Sequence, residues 1–142
     1  MDTQTASAKR AAAEQFVAGL AAYEGNDVVF NPWRDYDERY DLPDAPAVRR
    51  QQLVEYLAPR LGHCPYVVVA EAIGYQGGRF TGIAITCERM LLGVHRSIPA
   101  ADVIPVVGAR TSNPDSAYIT KATQRMNGFN EPTDTVVWEA IR

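Results

Sequence analysis

A single acid ends an unbroken apolar run: Glu71 comes directly after Val67, Val68, Val69 and Ala70. Gly74, Gly77, Gly78 and Gly82 crowd the residues that follow, and Thr86 then opens a short helical segment over residues 87–92. A β-branched apolar run of this length predicts a strand buried on both faces. An acid and a flexible turn at the carboxyl end of such a strand form a ligand site in open α/β sheets, where the chain reverses direction. The structural alternative for Glu71 is a strand-end acid that caps loop amides, and for the glycines a plain tight turn.

The elements that must position this stretch read as follows. Residues 6–22 are alanine-rich, with Phe16, Val17, Leu20 and Tyr23 at helical spacing and Gly25 as a stop. Residues 26–44 combine aromatics and acids with Pro32 and Pro43, which predicts an irregular connection. The aromatic-acidic part, residues 33–40, is expected to pack over a sheet. Asp44 caps a second helix with Pro46 in its first turn and a stripe of Val48, Leu53, Tyr56 and Leu57, ended by Pro59 and Gly62. The strand over residues 66–70 comes next. Residues 103–107 could form a short edge strand around Pro105. Residues 111–115 and the Asn127-Gly128 pair read as turns. Asn130 caps a last helix, with Pro132 in its first turn and Val136, Val137, Ala140 and Ile141 facing inward.

The chain has 142 residues, 46% of them apolar and 22% charged, which suits one globular domain over residues 1–142. Its net charge of -3 gives no global attraction to nucleic acid, although a local basic patch is compatible with it. Cys64 and Cys87 lack metal-ligand spacing and read as reduced thiols, which points to the cytoplasm. No metal and no cofactor is expected. No apolar run reaches membrane-spanning length, and the N-terminus lacks the apolar core of a targeting peptide.

The segment AEAIGYQGGRFTGIAITCERML resembles the first motif of bacterial uracil-DNA glycosylase superfamily proteins, which in one branch reads close to GEAPGYRGCRFSGIPFTSERLL. The likeness extends upstream through FNPWRDYDERYDLPDAPAVRRQQLVEYL and downstream through GFNEPTDTVVWEAI. It covers nearly the whole chain from Val29, except residues 97–118. Three blocks in the same order are far more specific than a glycine pattern alone.

The resemblance implies a three-layer α/β fold, a parallel sheet flanked by helices, incomplete in this chain because the family's C-terminal strands do not follow. It implies hydrolysis of the N-glycosidic bond of a uracil flipped out of DNA. Extruding the base costs a few kcal/mol of unstacking, offset by stacking and base-edge hydrogen bonds. Backbone N–H groups of a glycine-rich loop can face the leaving base, and a carboxylate near the sugar can orient water. Glu71 is thereby the catalytic candidate, and Ala72, Gly74, Tyr75, Gly77, Gly78, Phe80 and Ile85 are the candidates for contact with the base; Arg79 could meet a phosphate.

The chain departs from the family pattern at several positions. Ala70 replaces the motif's first Gly, Ala72 stands where an Asp or Asn orients water elsewhere in the superfamily, and Ile73 replaces a Pro. Ala84-Ile85 replaces the Pro-Phe pair whose Phe stacks on uracil. Base–aromatic stacking is worth roughly 1–3 kcal/mol. The later strand with the uracil-reading Asn and the histidine loop are missing, and His63 and His95 sit in the wrong places to replace them. The expectation is a uracil-DNA glycosylase-like protein of base excision repair, acting on uracil-containing DNA, with little activity as an isolated chain. The alternatives are a catalytically inactive nucleobase- or DNA-binding module, and a protein-interaction module that pairs with a second copy or a complementary chain.

Overall fold

The computed structural model describes residues 3–71 and 73–141. The described residues form seven helices in chain order: α1 (Thr3–Ala22), α2 (Ala45–Leu57), α3 (Gly78–Thr81), α4 (Glu88–Leu91), α5 (Ala100–Val103), α6 (Ala122–Asn127) and α7 (Pro132–Ile141).

The three-layer α/β expectation is overturned. Among the described residues there is no sheet, only two isolated antiparallel bridges, Asn26 with Val29 and Asp41 with Ser112. Residues 66–70 are neither strand nor helix. Tyr66, Val67 and Val69 are each 85% exposed, and Val68 is 68% exposed. The reason lies outside the run: β-propensity describes a residue's fit to a neighbouring strand and to a covering layer, and none of the described residues pairs with this one. Residues 103–107 fail likewise. Val103 closes α5, Pro105 has no N–H to give a ladder, and Val107 is exposed.

What forms the core is helix against helix. Ala13 and Val17 of α1 meet Leu53 and Val54 of α2, and Ile83, Cys87, Met90, Leu91, Ile98, Val103, Ile104 and Trp138 complete the cluster. The inward stripes differ from those read by spacing. Phe16 on α1 and Tyr23 just past its end are exposed, while α2 buries Ala45, Arg49, Gln52, Leu53 and Val54. On α7 the inward residues are Asp134 and Trp138, with Val136 and Ile141 exposed. Trp138 is directed inward by its indole N–H, which donates to the Ile85 carbonyl at 2.9 Å. A second cluster stacks Phe80 on Phe129 at 4.1 Å between ring centres, with Ile119 beside them and Tyr40 against them.

Two buried polar groups tie these clusters together. Glu88, at the start of α4, accepts the N–H of Thr111 and Ser112 at 2.9 Å each, the Ser112 hydroxyl at 2.7 Å and the Phe129 N–H at 3.0 Å. Arg49 on α2 pairs with Asp41, both side chains being fully buried. The Asp44 side chain makes no capping bond; its carbonyl accepts from Ala47 and Val48 instead.

Candidate functional site

The glycine loop folds back on itself before α3. The Gly74 carbonyl accepts the N–H of Gly77 at 3.2 Å and of Arg79 at 3.0 Å, and the Gly77 carbonyl accepts the Phe80 N–H at 2.9 Å. Gly77 and Gly78 are required by packing. A Cβ on Gly77 would lie 2.4 Å from Asp134 Oδ2, and one on Gly78 would lie 2.5 Å from Ile73 Cγ1 and 2.9 Å from the Ile83 carbonyl oxygen. Gly82 turns the chain at a φ of +75°, with no room for a Cβ against the Arg49 carbonyl oxygen.

The expected site residues divide. Gly77, Gly78 and Phe80 come together with Tyr40, Phe129 and Asp134. Phe80 is 2% exposed and its ring is stacked on Phe129, so protein already occupies the surface a base would need. Glu71 is exposed on the unpaired segment and lines neither of two open cavities, one beside residues 26–39 and one beside residues 94–97. Tyr75 is 72% exposed, and its hydroxyl accepts from Gln76 Nε2 at 2.7 Å. Ile85 has a φ of 52°, a left-handed conformation that costs a β-branched residue about 1–3 kcal/mol. Its carbonyl holds Trp138. Ala72 lies outside the described residues.

Arg79 is mostly covered, its guanidinium turned towards aromatic rings and carboxylates. Its guanidinium carbon lies 4.6 Å from the centre of the Phe80 ring, 4.8 Å from Phe30 and 5.4 Å from Tyr40. Nη2 donates to Asp37 Oδ2 at 2.8 Å, and Nη1 sits 3.7 Å from Asp41 Oδ1. Burial lowers its pKa, and the nearby Asp41 opposes that shift. The aromatic-acidic stretch therefore packs on the glycine turn rather than on a sheet, with Trp33 Nε1 donating to the Gly82 carbonyl at 3.0 Å.

Asp134 went unread in the sequence. It is 3% exposed, its Oδ2 has no hydrogen-bond partner, and it touches Gly77. Burial pushes its pKa up to about 7, and Glu131 adds to the shift. A carboxyl of this kind exists partly as the acid at neutral pH and can give or take a proton. The only sequence signal was its place four residues before Trp138, on one helix face.

Among the described residues no group of His, Cys, Asp and Glu is arranged to hold a metal ion. No described helix is long and apolar enough to cross a membrane. Cys64 is exposed and Cys87 buried, neither in a disulfide. An open cavity of about 820 Å³ is walled in part by Phe30, Arg34, Tyr36, Asp37 and Arg39, and a second of about 530 Å³ lies between residues 94–97 and α7. No family model, curated protein or solved structure matches the chain.

Proposed function

We propose that this chain is a uracil-DNA glycosylase-like protein of cytoplasmic base excision repair, whose glycine loop serves recognition of an extruded uracil. The observation that carries the reading is the meeting of the three resembling blocks at one turn. Asp37 and Trp33 of the first block bond Arg79 and Gly82 of the second, and Phe129 of the third stacks on Phe80. Asp134, touching that loop, adds a carboxyl that titrates near neutrality. The exposure of Glu71 limits the chemistry, since a water must be held against the sugar for hydrolysis. Weak hydrolysis is therefore the expectation for the chain alone.

The second reading, binding without chemistry, is favoured by that same exposure and by the covered face of Phe80. Incubation with a single-stranded oligonucleotide carrying one deoxyuridine, followed by alkaline strand scission, separates the two. Slow, uracil-dependent scission that disappears in Glu71→Gln supports the enzyme. Uracil-dependent gel retardation with no scission supports the binder, and neither signal sinks both.

A further inference from the structure

The second cavity collects hydrogen-bond donors. Arg89, Arg96, Asn130 and Thr135 line it, with Val94 as its apolar wall and Glu139 as its acid. Arg89 is fixed by donating Nε to the Gly128 carbonyl at 3.2 Å and Nη2 to the Thr123 carbonyl at 3.4 Å, and its Nη1 has no partner among the described residues. Arg96 is exposed and has no hydrogen-bond or ion-pair partner among the described residues. Asn130 turns its carboxamide oxygen towards Cys87 Sγ at 3.7 Å, which leaves its NH2 group for the cavity.

The histidine sets the remaining donor. His95 Nδ1 accepts the N–H of Ser97 at 3.3 Å and of Ile98 at 3.1 Å, so the proton of the neutral ring resides on Nε2. Nε2–H then donates to Thr135 Oγ1 at 3.0 Å, and the Thr135 hydroxyl proton is left to give. Glu139 is partly engaged by the Ser97 hydroxyl at 2.7 Å. Two guanidinium groups and two neutral donors outweigh one acid, in a chain whose net charge is -3. A group that only accepts, carries negative charge and offers several oxygens matches this set. A volume of about 530 Å³ suits a small organic molecule rather than a bare ion, and Val94, half exposed, offers it an apolar contact.

We propose that the cavity between residues 94–97 and α7 binds a phosphate ester, with Arg89 and Arg96 on the phosphate oxygens and Asn130 and Thr135 completing their hydrogen bonds. The site is separate from the glycine loop and does not depend on the glycosylase reading.

Calorimetric titration of the full chain with a nucleoside 5′-monophosphate, inorganic phosphate and a short single-stranded oligonucleotide tests it. Saturable binding should weaken about tenfold in Arg96→Ala, the effect of one charge-assisted hydrogen bond. It should tighten in Glu139→Gln, which removes the opposing charge. Arg96 touches nothing that folding requires, so the variant should melt with the wild type. Arg96-dependent binding of the monophosphate identifies a small ester as the source. Such binding by the oligonucleotide alone identifies a nucleic-acid backbone. Absence of saturable binding to all three, or binding that Arg96→Ala leaves unchanged, overturns the proposal.

Discussion

At the scale of single residues, Asp134 and Gly77 form one contact with two consequences. Asp134 folds with a pKa of about 7, above its ordinary 3.8, so the folded state holds a proton that the unfolded state releases between those values. Its contribution to stability is complete below 3.8 and fades as pH rises through about 7. The shift corresponds to roughly 4 kcal/mol as a ceiling. Urea melts of wild type and Asp134→Asn should show the variant gaining relative stability between pH 3.8 and about 7 and levelling off above; a flat difference would refute the shift. Gly77→Ala places a methyl 2.4 Å from Asp134 Oδ2 and should lower stability by about 1–3 kcal/mol, seen as an earlier urea midpoint with an unchanged slope. None of this was legible beforehand. Gly77 and Gly78 read as freedom for the loop, whereas their missing side chains also make way for Asp134, Ile73 and the Ile83 carbonyl.

At the scale of elements, α1, α2, α4 and α7 were legible and the strand was not, for one reason, while the short helices α3, α5 and α6 went unread. A helix closes its hydrogen bonds within the segment, so the alanines of α1 and the proline at the start of α2 carry the information locally. A strand's partners lie elsewhere in the chain, and residues 66–70 have none among the described residues. Inward faces were misread where polar residues go inside: Arg49 occupies the core side of α2 because Asp41 is there to meet it, and Asp134 does so on α7. If residues 66–70 pack on nothing, replacing Val67 and Val69 by Ser should move the melting temperature by no more than about 2 °C. A drop of several degrees would mean the run is covered in solution. The latch between residues 95–98 and α7 has its own pH dependence. Burial holds the His95 pKa below 6.5, with Glu139 opposing and Arg89 reinforcing the shift. His95 thus contributes stability above pH 6.5 that is lost as pH falls through its folded value, the reverse of Asp134. An NMR titration of its ring protons should place the midpoint below 6.5; one at or above that value contradicts the latch.

At the scale of the whole molecule, two apolar clusters, with no sheet between them among the described residues, must be held in register by polar connections. Glu88 is the main one: a buried carboxylate at α4 that binds the loop at residues 111–112 and the Phe129 backbone, hence both the aliphatic and the aromatic cluster. All its bonds are accepted, and three of the five come from backbone N–H groups. Glu88→Gln keeps the shape but turns an NH2 group against N–H donors, leaving at least one buried donor facing another. The expected cost is about 3–5 kcal/mol, the range for breaking a buried, fully bonded charge. Because the group joins both clusters, the loss should appear everywhere at once. Near-ultraviolet dichroism, which reports Trp33 and Trp138, and far-ultraviolet dichroism, which reports the helices, should shift together to lower urea with coincident midpoints. If the tryptophan signal alone moves, the clusters are stable independently and Glu88 is a local cap rather than the joint between them.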